Sequence, residues 1–407
     1  MQDFHFQIPT KIIFGRNAQA QAGKLTAALG KRALILYGSP RIEKSGLLAE
    51  ITALLDAEGI SWNTFCGITE NPLLSTAEAA CQAAREWQAD VLLAIGGGSV
   101  IDLAKAVSIG CANDCSLWDY YEHQAVPDKA LPLGVILTMA ATASEANCVS
   151  VLQNDTLGKK SALRCALTYP RFSLLNPELT YTVPARQTAM GALDIFAHAF
   201  ERYFHLGQKG TLRRQLCTAV MKTVIEELPR VLAHPQDYDG RAQLMWAATM
   251  AHSDMIGFDG VYACHAMSHI LTREFGLAHG GGLAMLMPAW CRHMAELCPE
   301  EIAYFARDVW EVDVSGRDAC CQSSPDFARA SSPDSVRTAA LEGIARFADF
   351  IHQNGLPVTL REAGITDFDC ARLAELTVAA NGSTIGDSFQ ALDLDGMAAV
   401  YEIAAGS

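Results

Sequence analysis

The feature that narrows the possible folds most is a recurrence of short apolar runs, ALILY at 33–37, VLLAI at 91–95, LGVIL at 133–137 and FSLL at 172–175. Amphipathic stretches such as 41–57 and 76–87 separate them. A strand that is apolar at nearly every position, not at alternate ones, has both faces buried, and a parallel sheet covered by crossover helices buries both faces. Residues 1–182 are therefore predicted to form an α/β domain on a parallel, Rossmann-like sheet. After LNPELTYTVP, with prolines at 177 and 184, the strand signals stop and helical periodicity takes over, at 185–205, 211–233, 241–256 and 262–274. Residues 183–407 are expected to be all-helical. The polar stretch SSPDFARASSPDS at 323–335 reads as a surface loop, and no internal repeat of about 20 to 50 residues is present.

The second apolar run leads into GGGSVIDLAK at 96–105, which sets three glycines and a serine between a buried strand and a helix. Gly96, Gly97, Gly98 and Ser99 thus present backbone N–H groups at a helix N-terminus, where the dipole and the unused donors favour a phosphate. A plain strand-to-helix turn would read the same way. Ser99 and Asp102 are read as an S-x-x-D capping pair.

The helical half concentrates oxygen and nitrogen donors. In GALDIFAHAF, Asp194 and His198 stand four residues apart on one helix face, either as a buried hydrogen-bonded pair or as half of a metal site. VYACHAMSHILTREFGLAHGGG adds His265 and His269 at the same spacing and His279 before a glycine run. One carboxylate with imidazoles and no thiolate suits Fe(II), Zn(II) or another borderline divalent ion. HAMSH lacks the glutamate of H-E-x-x-H, so peptidase chemistry is not expected. His205, His234, His252 and His293 are read as packed or capping side chains.

Composition removes other classes. A net charge of −14 argues against nucleic acid or an anionic membrane as partner, and the sequence holds no stretch of about 18 apolar residues. The start, MQDFHFQIPT, has no signal-peptide character, so a cytoplasmic location is expected. Thirteen cysteines without a C-x-x-C, several in apolar helical runs (Cys81, Cys217, Cys264), suit a reducing compartment.

With these motifs in view, the chain resembles the iron-containing (group III) alcohol dehydrogenases, in particular their butanol dehydrogenase and NADPH-dependent aldehyde reductase branch. The likeness rests on PTKIIFG at 9–15, NP at 71–72, GGGSVIDLAK at 96–105, TMAATASE at 138–145, GALDIFAHAFE at 191–201, MWAAT at 245–249 and HAMSH through HG at 265–280. It implies the dehydroquinate synthase-like architecture, a dinucleotide-binding domain at 1–182 and a helical metal-binding and catalytic domain at 183–407. It also implies an alcohol or aldehyde substrate and a homodimer paired through HFQIPTKIIFG. Carried over by position, the metal ligands are Asp194, His198, His265 and His279. His269 corresponds to a non-ligand histidine near substrate and nicotinamide, which would pass the proton. The cofactor contacts correspond to Ser39, Asn71, Gly97, Gly98, Ser99, Thr138, Thr142, Asn147, Lys160 and Leu179, with Lys159 competing for the place of Lys160.

Two departures bear on activity. Where the family writes T-G-S-E this chain has Ala143, and the missing glycine suggests a closer approach of backbone to cofactor than alanine permits. Where NAD-preferring members carry an aspartate against the adenosine ribose, this chain has Ser39, followed by Arg41 and Glu43, which implies NADP(H) over NAD(H). The alternatives are a glycerol dehydrogenase or dehydroquinate-synthase-like enzyme, and a catalytically silent nucleotide- or metal-binding protein. Trp118, Tyr120, Tyr121, Trp246, Phe258 and Tyr262 are read either as a substrate pocket or as core.

Overall fold

The computed structural model describes residues 5–205, 211–257, 260–313, 332–386 and 391–406. They form two compact units. One comprises the chain to Val183 together with His234–Asp254, the other Pro184–Ala233 and the chain from Met255 onward.

In the first unit, β1 (Lys11–Phe14), β2 (Arg32–Tyr37), β3 (Ser61–Phe65), β4 (Val91–Gly96), β5 (Leu133–Leu137) and β8 (Phe172–Leu175) make one sheet in the order β1-β8-β5-β4-β2-β3. Every pairing in it is parallel. The winding reverses between β2 and β4, and open α/β sheets bind ligands at the strand carboxyl ends beside such a reversal. Side chains alternate between two cores. Ala33, Ile35 and Tyr37 of β2 join Val91, Leu93 and Ile95 of β4 on one face, under Leu47, Ile51 and Leu55 of helix Leu47–Ala57. Leu34, Leu36, Leu92 and Ala94 face the other way, toward helices Leu74–Trp87 and Gly98–Gly110. Cores on both faces explain why the central strands read as unbroken apolar runs.

β3, SWNTF, lies at the sheet edge and is exposed over its first three residues, so it carries no apolar run. β6 (Val149–Asn154) and β7 (Lys159–Arg164) form a separate antiparallel hairpin with alternating burial along β6. Helix Tyr238–Ala251, which sequence patterning grouped with the helical half, packs into this unit: Met245 enters the core and Thr249 Oγ1 donates to Glu145 Oε1 at 2.6 Å.

The second unit is helical. Phe196 and Phe200 of helix Ala185–Tyr203 lie in an aromatic core with Phe305 and Phe347, the Phe196–Phe347 ring centroids being 4.9 Å apart. Cys217 and Cys264 are buried here, as Cys81 is in the sheet unit. Part of the stretch read as a loop at 323–335 is helix: Ser332 accepts from the Ser335 N–H as N-cap and Pro333 opens Pro333–Gln353. Residues 323–331 of it lie outside the described residues. No helix among the described residues is long and apolar enough to cross a membrane.

Helix His279–Leu297 crosses Ala185–Tyr203 so closely at Gly280 that a Cβ there would land on the backbone carbonyl of Met190. Backbone cannot swing aside as a side chain can. Gly280→Ala is therefore expected to cost about 1 to 3 kcal/mol of stability. Denaturant unfolding checks this, and a wild-type midpoint would contradict it.

Candidate functional site

Asp194 Oδ1 lies 3.7 Å from each of three imidazole nitrogens, His198 Nδ1, His265 Nε2 and His279 Nε2. That is too long for a hydrogen bond. It is close to what two ligands of a single ion show, since bonds of about 2.0 to 2.2 Å at tetrahedral angles put ligand atoms roughly 3.3 to 3.6 Å apart. Asp194, His198 and His265 each place a ligand atom within 4.8 Å of the others. His279 approaches through Asp194 and is the least buried of the four, its side chain 23% exposed against 5% for His198. The donor set is one oxygen and three nitrogens.

The orientation of His265 comes from Glu201, a residue to which the sequence reading gave no role. Glu201 is 1% exposed and its Oε2 is hydrogen-bonded to His265 Nδ1. Its Oε1 accepts from the backbone N–H of Cys264 at 2.7 Å and of His265 at 3.4 Å. Those amides belong to the first turn of helix Ala263–Phe275, which has no side-chain cap of its own. Glu201 thus caps one helix from another and, by accepting from Nδ1–H, leaves Nε2 as the imidazole lone pair facing Asp194. Burial alone would lower the His265 pKa, but the charges of Glu201 and Asp194 and the hydrogen bond to Glu201 outweigh it and raise the pKa to about 9. An ion entering the site therefore displaces a proton. The signal in the sequence was spacing: Asp194, His198 and Glu201 stand at i, i+4 and i+7 on one helical stripe.

Ser268 performs the same office for His279. Its hydroxyl donates to the His279 carbonyl at 3.1 Å and lies 3.1 Å from His279 Nδ1, where it can accept the ring proton and leave Nε2 unprotonated. His269, one turn beyond His265, is not among the clustered ligand atoms; its ring centroid stands 5.1 Å from that of His279.

In the sheet unit, the residues assigned to the cofactor follow strand carboxyl ends: Ser39 after β2, Asn71 after β3, Gly97, Gly98 and Ser99 after β4, Thr138 and Thr142 after β5, and Leu179 after β8. Helix Gly98–Gly110 starts on Gly97 without a side-chain cap. Ser99 lies inside the helix, so the S-x-x-D pair does not form, and Asp102 instead accepts from Ser144 Oγ at 2.6 Å and Val151 N at 3.1 Å. A Cβ on Gly98 would meet Thr142 Oγ1 at 2.5 Å, so the glycine is there to admit the 138–149 loop. Lys160 Nζ donates to Asn71 Oδ1 at 3.0 Å while Lys159 pairs with Glu122 at 2.8 Å, so Lys160 is the lysine beside the other assigned groups. Asn147, only 3% exposed, has its oxygen engaged by Lys105 and Val149 and its amide by Thr142 and His252. Its carboxamide serves the loop.

Ala143 sits at φ +52°, in the left-handed region where a side chain costs about 1 kcal/mol or more, and it is fully buried. A glycine at this position would relieve that backbone cost. Of the aromatic side chains read as pocket or core, Trp118, Tyr120 and Tyr121 are core, Trp246 packs against Phe14 with centroids 5.9 Å apart, the Tyr262 ring lies 5.8 Å from that of His265, and Phe258 falls outside the described residues.

Residues 9–177 match the family model described as iron-containing alcohol dehydrogenase, and 188–405 match that of the family's C-terminal region. A probable NADH-dependent butanol dehydrogenase of Bacillus subtilis (strain 168) is 33% identical, over 98% of this chain and 99% of its own. An NADPH-dependent aldehyde reductase of Escherichia coli (strain K12) is 31% identical, over 99% and 100%. The crystal structure of an NADH-dependent butanol dehydrogenase from Thermotoga maritima superposes with a TM-score of 0.89 at 30% identity, covering 100% of this chain and 99% of that one.

Replacing Glu201 by glutamine keeps the shape but sets an amide donor against His265 Nδ1–H, which favours the tautomer with its proton on Nε2. Glu201→Gln is expected to weaken metal affinity about 10- to 100-fold, the usual effect of losing a hydrogen-bond partner behind a ligand. Competition against a chelator measures it, and unchanged affinity would contradict the role given to Glu201.

Proposed function

Because the chain belongs to the iron-containing alcohol dehydrogenase family, an oxidoreductase family acting on alcohols and aldehydes, we propose that Asp194, His198, His265 and His279 hold its divalent ion and His269 handles the substrate proton. The observation that supports this most is the three imidazole nitrogens at 3.7 Å from one carboxylate oxygen. The reaction is hydride transfer between NAD(P)(H) and a small alcohol, aldehyde or ketone.

Taking a proton from an alcohol of pKa about 16 at neutral pH costs roughly 12 kcal/mol. A positioned base contributes about 3 to 5. An ion held here, Fe(II) or Zn(II), would supply most of the difference as a Lewis acid. The protein's own groups do the remainder. Glu201 and Ser268 keep the Nε2 lone pairs of His265 and His279 available. His269 donates a proton to the nascent alkoxide in reduction and accepts it in oxidation, directly or through water. The amides of Gly98 and Ser99 at the helix start receive the pyrophosphate, with Thr142 packed on Gly98 beside them.

For the coenzyme we favour NADPH. Ser39 is exposed after β2, and its hydroxyl lies 3.4 Å from the Arg41 N–H. Glu43, the nearest carboxylate in sequence, is held by the Tyr37 hydroxyl at 2.6 Å. Arg41 donates to the Thr182 carbonyl at 3.2 Å, so recruiting it to a 2′-phosphate requires a change of rotamer. The homologues include both NADH- and NADPH-dependent enzymes, so the side chain at 39 carries this argument. A homodimer pairing along β1 suits that strand's place at the sheet edge, and a cytoplasmic setting suits the free thiols of the described cysteines.

Aldehyde reduction by metal-loaded protein, assayed with each coenzyme, tests the reading. NADPH should give the higher kcat/KM, and equal or better use of NADH would defeat the preference. Ser39→Asp should raise the KM for NADPH by about tenfold or more, roughly 1.4 kcal/mol, with little change for NADH. His269→Ala should keep its metal and lose about 10² to 10⁴ in kcat. Loss of the ion in that variant would make His269 a ligand, and unchanged kcat would make it a packing residue.

A further inference from the structure

Lys105 is fully buried in the sheet unit, on helix Gly98–Gly110, and the reaction outlined above gives it no task. A buried ammonium is expensive unless every proton finds an acceptor. Here all three do: Nζ donates to Ser144 Oγ at 2.8 Å, Asn147 Oδ1 at 2.9 Å and the Val149 carbonyl at 2.8 Å. Each acceptor lies on the 138–149 segment, which runs from the end of β5 to the first residue of β6. The bonds continue outward, Ser144 Oγ donating to Asp102 Oδ1 at 2.6 Å and Asn147 Nδ2 to the Thr142 carbonyl at 3.3 Å. Thr142 in turn is the residue packed on Gly98, and the Thr138 N–H donates to the Gly96 carbonyl at 3.0 Å. Lysine, loop and glycine turn form one connected body.

We propose that Lys105 is a positioning residue for the dinucleotide: by tying the 138–149 loop to its own helix, it holds Thr138 and Thr142 against the Gly97–Ser99 turn as a preformed binding surface. This rests on the dinucleotide reading given above. An apolar side chain would fill the same volume without any desolvation cost, but it would leave Ser144, Asn147 and the Val149 carbonyl short of a donor. Preorganisation then appears as coenzyme affinity, since a loosened loop must be ordered on binding.

The charge state gives a distinguishing readout. Burial pushes the Lys105 ammonium down to about 8, against the pull of Asp102, Cys148 and Glu145 and with a small push from Arg164. A neutral amine has two protons for three acceptors. The loop is therefore held below that pH and loosened as pH rises through it.

The experiment is coenzyme titration by NADPH fluorescence, without substrate, on metal-loaded wild type, Lys105→Met and Ser144→Ala at pH 7 and pH 9. Wild type should bind several-fold more weakly at pH 9. Lys105→Met should bind about tenfold more weakly at pH 7, with little further loss at pH 9, and Ser144→Ala should shift the same way by less. Metal content should stay at the wild-type level, and the loss in turnover should fall on the coenzyme KM more than on kcat. Folded variants that bind NADPH as wild type does would overturn the proposal. If Lys105→Met does not fold, Ser144→Ala decides by the same criterion. If wild type binds neither NADPH nor NADH, the functional reading itself falls, and this inference with it.

Discussion

Glu201 is a carboxylate removed from water, and a charge in that position persists only where donors surround it. Its donors are the N–H groups of Cys264 and His265 and the His265 ring, so one buried charge closes the start of helix Ala263–Phe275 and fixes the imidazole that faces Asp194. The rest of the centre follows. Once that helix is anchored, Ser268 meets His279, and the glycines after His279 admit the next helix at Met190 and Ser268. The proposed ligands are placed by side chains outside the proposed set. That arrangement confers geometric selectivity, because rotating either ring would break a hydrogen bond behind it.

The sheet unit solves a different problem with the same means. A dinucleotide needs a surface of bare amides and hydroxyls, and such a surface has few apolar contacts to stiffen it. Here the stiffness comes from beneath, through the Lys105, Asp102, Ser144 and Asn147 network and from Glu145 tied to Thr249 of helix Tyr238–Ala251. Burial raises the pKa values of Asp102 and Glu145 while it lowers that of Lys105. Each group in the network is therefore less willing to be charged than in water, and its hydrogen bonds are what retain it.

How far the sequence reveals this depends on whether a signal is local. β2, β4 and β5 are legible because both their faces are buried, and β3, exposed at the sheet edge, and the half-buried β6–β7 hairpin are not. Asp194 with His198, and His265 with His269, stand out because an i,i+4 pair needs only a helix. Glu201 lies three residues past His198, yet at the end of an apolar run a glutamate looks solvated until its partners arrive from sixty residues away. Helix Tyr238–Ala251 has ordinary helical periodicity, which carries no address, so its place in the sheet unit was not readable. Trp118, Tyr120 and Tyr121 have the composition of a pocket and the burial of a core. Ala143 shows a feature that no local signal displays, a φ of +52° at a position where a side chain is costly.

The proposed centre holds one divalent ion through the carboxylate of Asp194 and the imidazoles of His198, His265 and His279. X-ray absorption spectroscopy of the metal-loaded protein addresses it without assuming any activity. The account predicts a first shell of nitrogen and oxygen at about 2.0 to 2.2 Å with the multiple scattering of three imidazoles and no sulfur. A sulfur scatterer near about 2.3 Å, or a shell with fewer than two imidazoles, would contradict it.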